Sequence, residues 1–592
     1  MEKLSKETFL TIISHLDSCQ KIKCVLVCKQ WEQWIRNTIL YRDVNVYSCE
    51  MFIEAMELFS DNKNYSTQVQ KLRIYDCQPD TYLMLALPEI FVNLKKLIWV
   101  SHKPLEVEFP RKPIYIQQFQ NWNALEDIHC YSKDYDHVAL YTLESSVLPR
   151  LTKLKMHVEN STTEPETPTL YVQKLFTCLK NAPALTELIL GNLSASLSDL
   201  NMIHVNTPSL QTLSLPEFFL DNLDGPVTFT LPSNLVNFSV DLQLERYEDM
   251  EEKNMTKTIK ALLSHVAIKY PVLKTLCIDF SDHLKPILVI GSLEVDIIHT
   301  IRALPCLTSY TIRVCPITDM ILEAMDSTQI KLEEMKIWLH EFDARRQLKF
   351  LLYSKQANSI SRLTIIDKVT SKRSLPINIP IFNLVTILKN VTELELRAEP
   401  ETTTYNYSFL IEIVDQLNNL ETLCIHNICD DQREVPVALS TYQPKKSKIT
   451  CLQIRLVGNM HRHRYTNAMF KFIFQSCPTL KTFRLNGSVH FDHFACLSLD
   501  LSRHRLLEIV DIALSDVAYY TRDKKKPNVP CVKYRDSREE LKLRAYERIQ
   551  ETFYIELLCE TRTIFYLGYA HMDYLSDYEF GSNDESDDIF RV

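Results

Sequence analysis

Few residues in this chain are spaced to do chemistry. His461 and His463 alternate within Met-His-Arg-His-Arg, which on a strand would turn both imidazoles to one side, toward a shared metal ion. No cysteine or acid stands near them at a zinc-ligand spacing, so the stretch reads as a solvated basic loop. Seventeen cysteines are scattered without a single C-x-x-C, and Cys24 and Cys28 lie one helical turn apart. That usage suits reduced, core-filling thiols of a cytoplasmic or nuclear protein. Lys524, Lys525 and Lys526 before Pro527, and Pro444 with Lys445, Lys446 and Lys448, are small basic clusters that could take an anion or serve nuclear import. No G-x-S-x-G, H-E-x-x-H or paired-carboxylate signature is present. Only seven glycines occur in 592 residues, and no two lie within ten positions of each other. Loops that cradle phosphate need clustered glycines for close backbone approach, which argues against nucleotide-using enzymes. The expectation is a non-enzyme with no catalytic residue, no cofactor and no metal.

The elements that would position any site are more telling. The net charge of −9 is concentrated at the end, where residues 571–592 hold seven acids and one arginine. The rest is nearly neutral, so no basic field favours nucleic acid, and no apolar run is long enough for a membrane span. From residue 69 a pattern L-x-x-L-x-L recurs, starting at Val69, Leu94, Leu125, Leu151, Leu185, Leu210, Leu235, Leu273, Leu307, Leu332, Ile360, Val391, Leu420, Ile449, Leu480 and Leu507. The x-L-x-L part alternates as a short strand with one face inward, and helical stretches such as LYVQKLFTCLKNA and MFKFIFQSC separate the copies. One strand and one helix cannot close a core, but stacked copies can. Pro149, Pro183, Pro208, Pro271, Pro305 and Pro478 each stand two residues before a first leucine, where proline ends the preceding helix.

Ahead of the array lies a different unit. Phe9, Ile12, Ile13 and Leu16 share one helix face, Ile22, Val25 and Leu26 a second, and Val27, Cys28, Trp31, Trp34 and Ile35 mark a third. Asp17 with Gln20 offers a capping box for the second helix. Three short helices in some forty residues cannot hide this apolar inventory, so a partner is expected to cover part of it.

This N-terminal stretch resembles an F-box. The pattern is carried by Leu4, Glu7, Phe9, Ile12, Ile13, Leu16 and Asp17, then Leu26, Val27, Cys28, Lys29 and Trp31, then Leu40, Tyr41 and Arg42. Ser5, Thr8 and Tyr41 depart from the usual proline, aliphatic and tryptophan, and Ser5 can serve as a helix N-cap. The array in turn resembles the cysteine-containing class of leucine-rich repeats. Its turn position is cysteine at Cys77 and Cys315 and serine at Ser281, Ser488 and Ser515, a degenerate version of the family's ladder. Together they resemble the F-box/leucine-rich-repeat substrate receptors of SCF-type ubiquitin ligases. The resemblance implies an F-box docked on a Skp-type adaptor through Leu4, Phe9, Ile12, Leu16, Val27, Cys28 and Trp31, some of which also form the unit's own core. Cullin and RING subunits would follow through the adaptor, and the repeats would hold an unidentified protein substrate.

The expected architecture is therefore α/β: a three-helix F-box at 1–48, a linker or cap helix at 49–68, and a leucine-rich-repeat solenoid at 69–535. That solenoid would have about sixteen strand-helix units and a parallel concave sheet. A C-terminal cap at 536–570, with a charged helix from Asp536, and an acidic tail at 571–592 complete it. Acidic insertions at 159–168 and 245–254 are expected as loops. The alternative function is a leucine-rich-repeat scaffold or inhibitor that binds its partner without ubiquitination.

Overall fold

Each of the sixteen repeat starts is followed, two residues later, by a parallel strand in the computed structural model. The structure describes residues 6–568 except 15, 17, 37, 39, 76, 78–80, 102–116, 133–135, 158–166, 221–231, 244–251, 281–289, 314, 341–343, 369–387, 399–406, 429–445, 461–462, 492–495, 502–503, 505, 515–517, 524–529, 537–538, 543–553 and 560–563; beyond residue 512 it describes the course of the strands alone. The acidic tail and most of both acidic insertions thus lie outside the described residues. The chain forms two compact units, Met1–Leu307 and Thr308–Val592.

The first unit begins with three helices, α1 (Lys6–Ser14), α2 (Ser18–Val25) and α3 (Lys29–Arg36), followed by β1 (Asp43–Val46) and α4 (Cys49–Asp61). The strands continue as β2 (Lys71–Tyr75), β3 (Lys96–Ser101), β4 (Asp127–Ser132), β5 (Lys153–His157), β6 (Glu187–Gly191), the short β7 (Ser194–Ala195), β8 (Thr212–Leu220), β9 (Asn237–Leu242) and β10 (Thr275–Phe280). Every pairing is parallel and joins neighbours in sequence, save that β6 reaches past β7 to pair with β8. The register lines up Leu72, Leu97, Ile128, Leu154, Leu188, Leu213, Phe238 and Leu276 as one ladder, all buried. A second buried ladder two residues on includes Ile74, Trp99, Cys130 and Met156. Each such side chain contributes roughly 1.5–3 kcal/mol by leaving water, and the alternation leaves the x positions on the opposite face.

The second unit repeats the scheme with β11 (Ser309–Ile312), β12 (Glu334–His340), β13 (Arg362–Lys368), β14 (Glu393–Ala398), β15 (Thr422–Ile428), β16 (Cys451–Met460) and β17 (Thr482–Phe491). The later strands are β18 (Cys496–Asp500), β19 (Ile509–Leu514), β20 (Ala518–Asp523), β21 (Pro530–Asp536), β22 (Glu539–Lys542), β23 (Tyr554–Cys559) and β24 (Ile564–Gly568). Strands β11 to β17, then β19 and β24, form the parallel ladder, while β18, β23, β20, β21 and β22 make a separate small sheet. A charged helix is expected from Asp536; of that stretch, residues 537–538 and 543–553 lie outside the described residues, and Glu539–Lys542 departs from the expectation. Glu539–Lys542 is a strand paired antiparallel to β21, because the sequence E-E-L-K-L-R alternates polar and apolar residues as well as suiting a helix.

All six repeat prolines start the turn that joins a helical stretch to the next strand, as at Pro183 before β6 and Pro478 before β17. Asparagines bridge successive repeats. Asn93, Asn181, Asn206, Asn390 and Asn419 each donate a side-chain N–H to a carbonyl of the preceding repeat, at Thr67, Leu143, Phe176, Asn358 and Lys389 respectively, over 2.7–2.9 Å. These bonds satisfy carbonyls left open where each helical stretch ends. Gly487 in β17 has φ +143°, and a Cβ there would run into the Leu456 backbone, so the tight β16–β17 pairing requires glycine.

Candidate functional site

The N-terminal unit closes around a small core of Phe9, Ile13, Val25 and Ile35, with Leu10, Leu16, Cys24, Trp31, Trp34 and Leu40 packed against it. The Phe9 ring lies 4.6 Å from Trp31 and 5.5 Å from Trp34, centroid to centroid. One pair of aromatics on α3 therefore clamps α1. Tyr41, which replaces the tryptophan of the F-box pattern, stands 4.5 Å from Tyr65 and 5.7 Å from Phe59 of α4. It ties the small unit to the helix behind it. Ser48 caps α4 by accepting from the Met51 N–H at 3.2 Å, and Phe52, Met56 and Phe59 form that helix's buried face. Strand β1 falls within the span expected for the N-terminal unit, yet it pairs with β2 and is the sheet's first strand.

Helix α2 ends at Val25, one residue earlier than its apolar spacing suggests. Leu26 and Val27 then occupy the turn to α3, held by bonds from their N–H groups to the carbonyls of Lys23 and Cys24 at 3.2 Å. The turn points them outward: Leu26 is 79% and Val27 62% exposed, and Ile22 and Ile12 are each 52% exposed. Cys28 is exposed too, and its carbonyl accepts from the Glu32 N–H at 2.9 Å to start α3.

Of the seven residues expected at an adaptor face, Ile12, Val27 and Cys28 are open to solvent. Phe9 is buried in the core, Leu16 and Trp31 are half-buried against it, and Leu4 lies outside the described residues, as does Asp17. Leu26 and Ile22 belong with the exposed group, although helical spacing places both on the second helix's inward face. A large aliphatic left four-fifths open beside another such residue forms an exposed apolar patch.

The open face of the first unit's sheet carries stacked aromatics and cations. Tyr47 and Tyr75 lie parallel at 5.4 Å, and Tyr131 lies 5.3 Å from His157. Arg73 donates to Asn45 at 2.9 Å, and Lys96–Asp127 and Lys153–Glu187 pair at 2.7 and 3.0 Å. Burial, with Lys155 and Lys96 nearby, pushes His129 down to about 3, so it stands neutral in this face. Such a surface can grip a polypeptide through ring faces, hydrogen bonds and charge.

On the second unit's open face, Glu395, Cys424 and His426 bring a carboxylate, a thiol and an imidazole together. Burial alone would raise the Glu395 carboxyl, but the hydrogen bond to His426 and the charge of Arg397 hold it down at about 2. The histidines at alternating spacing, His461 and His463, have side chains outside the described residues. So do Lys524–Lys526, Pro444 and Lys445, while Lys446 and Lys448 are exposed. Among the described residues no helix is long and apolar enough to cross a membrane.

Residues 1–43 match the model of the F-box domain, and the match ends at the first residue of β1. No curated protein matches the chain. Among solved structures, the chain is similar to one titled "Crystal structure of TLR13-ssRNA13 complex", at 14% identity and a TM-score of 0.36, over 82% of this chain and 67% of that one. The N-terminal residues are thus an F-box domain, and behind it stands a leucine-rich-repeat-like array of parallel strands.

Proposed function

We propose that the chain is a non-catalytic substrate receptor of an SCF-type ubiquitin ligase. In this reading residues 1–48 dock on a Skp-type adaptor, 49–68 join them to the repeats, and the open sheet faces hold a protein substrate. Cullin and RING subunits come through the adaptor. The chain itself performs no bond-making; it raises the effective concentration of a substrate lysine near a ubiquitin thioester. Its place of action would be the cytoplasm or the nucleus.

One observation carries the reading. The F-box domain has a closed core and still presents Ile22, Leu26 and Val27, with Ile12, to solvent. A unit this small cannot spare that much apolar area unless a partner covers it. The test is recovery of a Skp-type adaptor by the purified full chain, compared with a Leu26→Asp/Val27→Asp variant. Binding by the wild type and its loss in the variant support the proposal. If the wild type retains a protein partner on its repeats but never the adaptor, the chain is a scaffold or inhibitor instead.

A further inference from the structure

Glu395 on β14 faces Cys424 on β15 directly in the parallel register, and His426 lies two residues along on the same face. The three side chains meet. Cys424 Sγ lies 3.1 Å from His426 Nε2, which lies 3.3 Å from Glu395 Oε1, and all three donor atoms fall within 4.8 Å of one another. Ligand atoms around one tetrahedral ion, at metal distances of about 2.0–2.3 Å, stand roughly 3.3–3.8 Å apart. The group is close to what one ion would draw together.

Three features of the surroundings fit a ligand site better than a chance meeting of side chains. The carboxylate is already oriented, because Arg397 Nε donates to Oε1 at 2.7 Å and the Thr364 hydroxyl to Oε2 at 3.2 Å. Hydrogen bonds of that kind fix ligating carboxylates in metal sites. The imidazole is largely shielded, with a side-chain exposure of 17%, so binding there would strip little water from it. The β15–β16 register shifts between Ile425 and Ile428, so the backbone bulges at His426. Bulges are a means of re-aiming a side chain beside a site.

We propose that Glu395, Cys424 and His426 bind one zinc ion on this sheet face. The sulfur, nitrogen and oxygen donor set suits borderline-soft Zn²⁺ and is poor for Mg²⁺ or Ca²⁺. Binding displaces the thiol proton of Cys424 to solvent, and the thiolate and carboxylate together balance the ion's two charges. Arg397 stays on the carboxylate, where its positive charge opposes that of the ion. That moderates the affinity. Three protein donors leave one position for water or for a side chain of whatever protein lies on this face.

The test is titration of the reduced, metal-free full chain with Co²⁺, a spectroscopic stand-in for zinc. A thiolate-to-cobalt absorption that saturates at one equivalent and is discharged by Zn²⁺ is the expected result. Cys424→Ser should abolish the band, while Cys306→Ser, an exposed cysteine elsewhere, should leave it intact. His426→Gln and Glu395→Gln keep the thiol and should each weaken binding at least tenfold, on the order of the losses seen at metal-site ligands and their supports. Should Cys424→Ser fail to fold, those two variants decide the matter by the same titration. No band in the wild type, or a band unchanged in the Cys424, His426 and Glu395 variants, would overturn the proposal.

Discussion

Replacing Leu26 and Val27 together by alanine should uncouple adaptor binding from folding. Both side chains are largely in water in the free chain, at 79% and 62% exposure, so their removal takes little from the fold. Surface changes of this kind usually stay within about 0.5 kcal/mol. Burying a leucine or valine fully contributes about 1.5–3 kcal/mol, and these two have roughly four-fifths and three-fifths of that still to gain. The sum available to an adaptor is about 2–4 kcal/mol, which corresponds to roughly 30- to 1000-fold in Kd. Isothermal titration of the full chain with a purified Skp-type adaptor would measure the loss, and a chemical melt would check that stability is unmoved. Phe9→Ala is the contrasting variant. Its ring is buried between Trp31 and Trp34, so it should cost about 3–5 kcal/mol of the small unit's stability and abolish binding through unfolding. If the double alanine variant binds the adaptor as tightly as wild type, the exposed turn is not the docking face and the reasoning fails.

Within the array, Leu188→Ala at a fully buried rung should cost about 2–5 kcal/mol, read as a lowered urea midpoint. Gly487→Ala should destabilise the second unit by at least about 2 kcal/mol, whereas Gly→Ala in an ordinary strand stabilises or is neutral; a thermal melt separates the two outcomes. Stability should fall as pH drops below about 6.5. Burial, and Lys269 beside both, holds His204 down at about 3 and His265 at about 4, so the unfolded chain binds their protons first. Each histidine then removes up to ~1.4 kcal/mol per pH unit between its unfolded and folded values, and His204→Gln should flatten the slope of urea stability between pH 6.5 and 4.

The array was legible because its signal is redundant. A leucine ladder needs the same residue class at the same phase in every copy, so Leu72, Leu97, Leu154, Leu188 and Leu213 announce their strands even where a neighbouring copy is weak. Single elements without that redundancy were harder. Neither strand β1 nor strand β24 has an L-x-x-L before it. Glu539–Lys542 obeys two periodicities at once, and its pairing with β21 selected the strand. The asparagines that bridge successive repeats recur at two fixed offsets, one or four residues before a first leucine. That spacing is present in the sequence, but asparagine has so many other uses that only the bond to the preceding carbonyl gives it meaning.

The F-box site shows a different limit. A family pattern records which residue types persist along the chain, and it mixes those that hold the unit together with those that face a partner. Phe9 and Val27 belong to one pattern, yet one is sealed under two tryptophans and the other stands in a turn. What separates them is where α2 stops. Continued by one residue, the helix would carry Leu26 around to join Ile22 and Val25 on a common stripe. Ended at Val25, it leaves Leu26 and Val27 in a two-residue turn whose N–H groups are spent on Lys23 and Cys24, and both side chains swing out. Helix ends are the least determined feature of a sequence, since adjacent stopping points differ by a fraction of a hydrogen bond's worth of free energy. The part of the proposed adaptor surface made by Leu26 and Val27 is therefore set by a one-residue choice of helix length that no periodicity in α2 encodes.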